Sequence, residues 1–152
     1  MGTYLKEREQ ELGLRHFIDL DEDMLSRCFY EMDGAVDEWA RGKGENVLFV
    51  DATFNTNAAG LSLVAFVTVG STGQTVVLAI GLLLGQDYQS YEWLFRRFHD
   101  VFKVKPVSIF TDSAPELDVA IRECSTIDSD VWFGIVHNLC IFHLSQNVFD
   151  NC

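Results

Sequence analysis

From Val47 the chain passes through four consecutive apolar residues, VLFV, straight into Asp51, and dense apolar runs return at 61–69 (LSLVAFVTV) and 74–84 (QTVVLAIGLLL). Apolar runs of this length bounded by Gly, Ser and Asn predict strands, and Ser71-Thr72-Gly73 supplies a tight hairpin turn between the last two. Their hydrophobicity is nearly continuous rather than alternating, which predicts a sheet covered on both faces. The period then changes. Tyr88, Tyr91, Leu94, Phe95, Phe98, Val101 and Phe102 recur at three- and four-residue steps, the spacing of an amphipathic helix of about four turns. Pro106 closes that helix, and VSIF (107–110) predicts a short strand running into Thr111-Asp112. A further helix is expected from Pro115, with Ser113 as its cap. Val131–Val136 reads as a fifth strand, followed by a last helix beginning near 138–140.

Upstream, RHFIDL (15–20) and MLSRCFYE (24–31) flank the turn-forming Asp21-Glu22-Asp23, and GAVDEWAR (34–41) suits two turns of helix before Gly42-Lys43-Gly44. Residues 1–45 are thus expected to be a lead-in segment of hairpin plus helix, and 46–152 the main domain. From residue 46 the order is β-β-β-α-β-α-β-α. That is the order of the ribonuclease H-like fold, an α/β class with a mixed sheet in which strand four lies parallel beside strand one. Here it is expected to be cut after the fifth strand and the start of the last helix.

Composition adds limits. With 152 residues and 48% hydrophobic content the chain is long enough for one domain with a real core. Its longest apolar run, VVLAIGLLL, is too short to span a membrane, which takes about 20 residues. The charged N-terminus MGTYLKEREQELG has neither a signal-peptide apolar block nor transit-peptide composition, so an intracellular location is expected. Cys28, Cys124, Cys140 and Cys152 show no paired spacing and are expected to be thiols. The formal net charge of −12, from 23 acidic and 11 basic side chains, argues against strong nucleic-acid binding by this segment alone.

If strand four lies beside strand one, Asp51 and Asp112 fall at the carboxyl ends of neighbouring central strands, where open α/β sheets place their sites. Two hard carboxylates there suit Mg²⁺ or Mn²⁺. The structural alternative makes Asp51 a hydrogen-bonded strand end and Asp112 a helix cap. His137, Cys140 and His143 recur every three residues; Cys140 and His143 could share Zn²⁺, although a closed zinc site takes four ligands. The alternative there is a buried cysteine and a histidine satisfied by backbone. Trp93 reads as a packing residue rather than a base-stacking one, and Asn55 and Asn57 as turn formers.

VDATFNTN (50–57), QDYQSYEWLF (86–95), SIFTDSAPELDVAI (108–121) and HNLCIFHLSQN (137–147), in that order, resemble the transposase domain of Mutator-like elements, the MULE family. Far-red-response transcription factors of plants derive from such transposases. The resemblance covers about residues 46–149. It implies that Asp51 and Asp112 match the first two acids of the family's DDE catalytic triad, as catalytic and metal-holding positions for Mg²⁺ or Mn²⁺. It further implies metal-dependent DNA strand cleavage and transfer in transposition, with transposon-end DNA as partner of the full-length protein, oligomer formation compatible, and a nuclear location in a eukaryote. The chain departs from the pattern at Gln86-Asp87, where the family has a glutamate, and at Ala114. The family's third carboxylate lies further downstream on a later helix, and Glu92, Glu116 and Glu123 occupy surface or packing positions instead. The chain alone is therefore expected to be inactive. A domesticated, non-catalytic module acting in binding or transcriptional regulation is the alternative.

Overall fold

Ten elements follow one another in the computed structural model, which describes residues 16–22, 24–53, 59–126 and 132–140. They are β1 (His16–Asp21), β2 (Met24–Glu31), α1 (Ala35–Arg41), β3 (Val47–Thr53), β4 (Ser62–Val69), β5 (Thr75–Leu83), α2 (Tyr88–Phe102), β6 (Ser108–Thr111), α3 (Pro115–Cys124) and β7 (Val136–Leu139). The strands form one seven-stranded mixed sheet in the order β1-β2-β5-β4-β3-β6-β7. From β1 across to β3 every neighbour is antiparallel, while β6 lies parallel to β3 and β7 parallel to β6. The fourth strand of the main domain thus lies parallel beside its first, as its order predicts. The hairpin of residues 16–31 extends the same sheet, with β2 pairing to β5.

The β4–β5 turn forms where Gly73 takes φ +78° and the Gly70 amide donates to the Gln74 carbonyl at 2.7 Å. Only glycine enters that backbone region without steric cost. Burial alternates along β3 and β4, so Leu48, Val50 and Ala52 face one side with Val64 and Phe66. On this side Phe66 meets the rings of Phe29, Phe95 and Phe98 at centroid distances of 5.7, 6.1 and 5.3 Å. Trp39 of α1 packs edge-on against Phe98 and Phe102 of α2, and its indole donates to the Val104 carbonyl at 2.9 Å. Gly81 of β5 lets α2 approach closely: a Cβ there would sit 2.6 Å from a methyl of buried Leu94.

Four expectations are corrected. The continuous apolar runs do not produce a sheet covered on both faces among the described residues. α1, α2 and α3 all pack on the Val50–Phe66 side, and the opposite positions Phe49, Leu63, Ala65, Ile80 and Phe110 are half-buried. The fifth strand is not Val131–Val136 but Val136–Leu139. Trp132 is fully buried against Phe95, 4.9 Å between centroids, and Gly134 at φ +76° turns the chain, so the apolar run anchors a turn before the strand begins. Residues 138 and 139 consequently belong to β7 rather than to a helix start, and the rest of the expected last helix lies outside the described residues. Finally, α3 begins after Ala114 with Pro115 in its first turn, and Ser113 is not the cap.

Candidate functional site

Strand alternation resolves the placement of Asp51. Its neighbours Val50 and Ala52 point under the helices, whereas Asp51 is exposed on the other face, so no charge is buried. Opposite it on β4 stands the small Ala65. On its other side the parallel register pairs Val47 with Ser108, Leu48 with Ile109 and Phe49 with Phe110. Two further residues along each chain bring Asp51 level with Asp112, just past the end of β6, on strands that neighbour one another at about 4.8 Å. The next strand continues the row: β7 pairs Thr111 with Leu139, and the Cys140 amide donates to the Thr111 carbonyl at 2.6 Å. One residue further, Cys140 is level with Asp112.

Asp112 is held at both ends. Its Oδ1 accepts from the Ala114 amide at 3.1 Å, and its main-chain carbonyl accepts from the Thr111 hydroxyl at 2.8 Å. This partly realises the capping alternative, since the carboxylate closes the turn that leads into α3. One such bond uses a fraction of what a carboxylate can accept, about four lone-pair sites, and leaves capacity for a cation.

The surroundings are acidic. The Tyr91 phenol of α2 is pushed up to about 12, first by burial and then by the charges of Asp112, Glu116 and Asp87. Asp87 caps α2, its Oδ1 accepting from the Ser90 amide at 2.9 Å. Arg27 acts on Asp87 as well as pairing with Asp19, and the other arginines among the described residues pair away from Asp51 and Asp112: Arg41 with Glu38, Arg96 with Glu92, Arg97 with Asp100 and Arg122 with Asp118. The donor chemistry, two hard carboxylates on neighbouring chain segments, Asp51 exposed and Asp112 half-buried, fits Mg²⁺ or Mn²⁺, which bind through one or two carboxylates and keep waters as further ligands. Among the described residues, no group of three or more His, Cys, Asp or Glu side chains is assembled to hold a metal.

The available glutamates do not complete the pair. Glu92 Oε1 accepts from Arg96 at 2.9 Å (Nε) and 2.6 Å (Nη2), one helical turn away. Glu116 and Glu123 are exposed on α3. Gln86, which stands where the family has a glutamate, donates from Nε2 to the Ser62 hydroxyl at 2.8 Å. Trp93 packs beneath cations, with the Arg27 and Arg97 guanidinium carbons 5.3 and 5.7 Å from its ring centre.

The histidine and cysteine set is laid out differently from a helical start. His137 lies on β7 and points to the helix side: its Nε2 is 2.8 Å from Thr111 Oγ1 and its Nδ1 is 3.4 Å from Asp118 Oδ1. Three residues on in extended chain, Cys140 falls on the opposite face. The two do not converge as ligands, and His143 lies outside the described residues. The histidine's partners are side chains rather than backbone. Thr111 and Asp118 were invisible to spacing arguments, since only the register of β6 and β7 brings them to His137. A hollow of about 400 Å³ lined by Ser113, Ala114, Asp118, His137 and Leu139 adjoins this network. The larger concavity, about 720 Å³, lies at the far ends of the strands around Glu38, Asn46 and Phe110.

The chain is similar over part of its length to known proteins. In Arabidopsis thaliana, 78 residues of protein FAR1-RELATED SEQUENCE 6 align at 33% identity, covering 51% of this chain and 11% of that protein. Protein FAR1-RELATED SEQUENCE 5 of the same plant aligns over 131 residues at 27% identity, 76% of this chain and 16% of that protein. A stretch of the PKS-NRPS hybrid synthetase cheA of Chaetomium globosum is 32% identical over 108 residues, 68% of this chain but 2% of that protein. The chain thus spans less than a fifth of the length of each of these relatives. The family described as the MULE transposase domain matches residues 47–147, from the first residue of β3 to beyond β7 and across both aspartates; the chain belongs to that family.

Proposed function

We propose that the chain forms a ribonuclease H-like transposase catalytic domain, in which Asp51 and Asp112 hold Mg²⁺ or Mn²⁺ for cleavage and transfer of DNA strands. The observation that carries this is the parallel β3–β6 register, which levels the two aspartates at adjacent strand ends. A bound divalent ion supplies Lewis-acid activation of the attacking oxygen and charge neutralisation at the phosphate. The residues of this chain orient that chemistry: β3 presents Asp51 to solvent, and the Ala114 amide and Thr111 hydroxyl fix Asp112 beside it. A third carboxylate comes from outside the described residues. Purified full-length protein incubated with transposon-end duplex is expected to nick and join strands only with Mg²⁺ or Mn²⁺, and Asp51→Ala or Asp112→Ala to abolish both steps. Cleavage that persists in both variants refutes the assignment.

A second reading is favoured by the charge pattern. With net charge −12 and each described arginine already ion-paired, the same fold could serve as a domesticated module that binds partners without cutting DNA. It predicts no metal-dependent nicking by the full-length protein under any divalent ion. The nuclear location expected of either role is tested by imaging a tagged full-length protein.

A further inference from the structure

β6 ends at Thr111, and Asp112 has left the sheet, so the orientation of Asp112 depends on local bonds rather than on the ladder. One of those bonds passes through Thr111. This residue is fully buried and engaged on three sides: its carbonyl accepts from Cys140, its hydroxyl donates to the Asp112 carbonyl at 2.8 Å, and the same hydroxyl oxygen lies 2.8 Å from His137 Nε2. A hydroxyl has one proton to give. While that proton is committed to Asp112, Thr111 Oγ1 can only accept from His137, so Nε2 carries the hydrogen. On the far side of the ring Asp118 Oδ1 lies 3.4 Å from Nδ1, and Asp118 Oδ2 is 3.2 Å from Arg122 Nε. A chain of polar contacts thus runs from the outside of α3 to the main chain of Asp112. Without the imidazole, the Thr111 hydroxyl keeps no other side-chain partner among the described residues, and its oxygen loses a donor.

We propose that His137 is a positioning residue: through the Thr111 hydroxyl it fixes the backbone of Asp112 in the orientation that cation binding requires. The proposal rests on the assignment of Asp51 and Asp112 as a divalent-cation pair. It gives the first histidine of the H-x-x-C-x-x-H stretch a role that involves no metal bound to His137. Groups one step removed from a metal ligand commonly govern affinity by 10- to 100-fold when altered.

The test is Mn²⁺ titration of the full-length protein, followed by electron paramagnetic resonance without DNA, with melting temperatures recorded in parallel. Asp112→Asn is expected to remove the site. His137→Ala and Thr111→Val are each expected to weaken Mn²⁺ by about 10- to 100-fold, and the double variant by no more than the stronger single, since both cut the same path. His137→Gln, whose amide can still donate to Thr111, and Thr111→Ser, which keeps the hydroxyl, are expected to recover most of the affinity. A general loss of structure would not follow that rescue pattern. Wild-type Mn²⁺ affinity in His137→Ala and Thr111→Val, with loss in Asp112→Asn, overturns the positioning role and leaves the cation pair standing. Unchanged affinity in Asp112→Asn overturns both. Should His137→Ala fail to fold, Thr111→Val against Thr111→Ser decides the matter on the same criterion.

Discussion

On one side of the sheet, Leu48, Val50, Phe66 and Phe29 lie beneath three helices and are almost wholly removed from water; on the other, Phe49, Asp51, Leu63 and Ile80 come from alternate positions of the same strands and stay partly or fully exposed. Adjacent residues of β3 therefore answer to different physics. Val50 contributes by burial, about 1.5–3 kcal/mol for a side chain of its kind. Asp51 lies outside the core, with its side chain exposed to water. A strand can carry stability and chemistry in successive residues because its side chains alternate.

The largest expected effect separates these two roles most sharply. Asp51→Asn should abolish divalent-ion binding and any metal-dependent strand cleavage by the full-length protein, while stability changes by no more than about 0.5 kcal/mol, the usual range for exposed positions. Mn²⁺ titration and urea denaturation of the same preparation measure both. A variant that unfolds as it loses metal would show that the two faces are not independent.

On the helix side, Phe66→Ala should cost about 3–5 kcal/mol, because the ring stands between Phe29, Phe95 and Phe98 and its loss leaves a cavity they cannot close. Urea midpoints at constant slope would report it. Gly81→Val comes next, at about 1–3 kcal/mol, since the added methyls meet Leu94 on a helix that cannot retreat without opening the core. Combining Gly81→Val with Leu94→Ala should recover part of that loss; an additive result would place the clash elsewhere.

Local features of this fold were legible in the chain because they depend on local rules. Gly73 specifies the β4–β5 turn, the periodicity from Tyr91 to Phe102 specifies α2, and Pro115 suits the first turn of α3. The parallel pairing of β6 with β3 also followed from element order. What periodicity could not resolve was which of two apolar roles a run would take. VWFGIV has the composition of a strand, but Trp132 fills the space beside Phe95 and Gly134 turns the backbone, so pairing starts later, at Val136. Nor could spacing show that His137 and Cys140 diverge, because a three-residue step converges on a helix and diverges on a strand. The one-sided cover was hidden for a related reason. Phe49 and Phe110 stack on each other at 5.2 Å on the aspartate side, so apolar residues there shield one another although no described helix covers them.

The smallest effect concerns carboxylates away from the site, and it sharpens the contrast with those within it. Glu38 of α1 accepts from the Ser71 amide at 2.7 Å and the Ser71 hydroxyl at 2.9 Å, tying the helical layer to the β4–β5 turn. These two bonds and the neighbouring Arg41 hold its carboxyl below the ordinary value of 4.5. A group whose pKa is depressed by folding adds stability that is fully present above its unfolded value and disappears as pH falls through its folded value. The wild type should therefore exceed Glu38→Gln in stability at pH 7, with the difference shrinking below about pH 4.5 and closing in stronger acid. The difference should be small, since the carboxylate is exposed and screened by solvent. Denaturation midpoints of both proteins across that range measure it. A difference that persists unchanged into acid would mean that Glu38 acts through shape rather than charge, and the distinction between structural and site carboxylates would then rest on Asp51 and Asp112 alone.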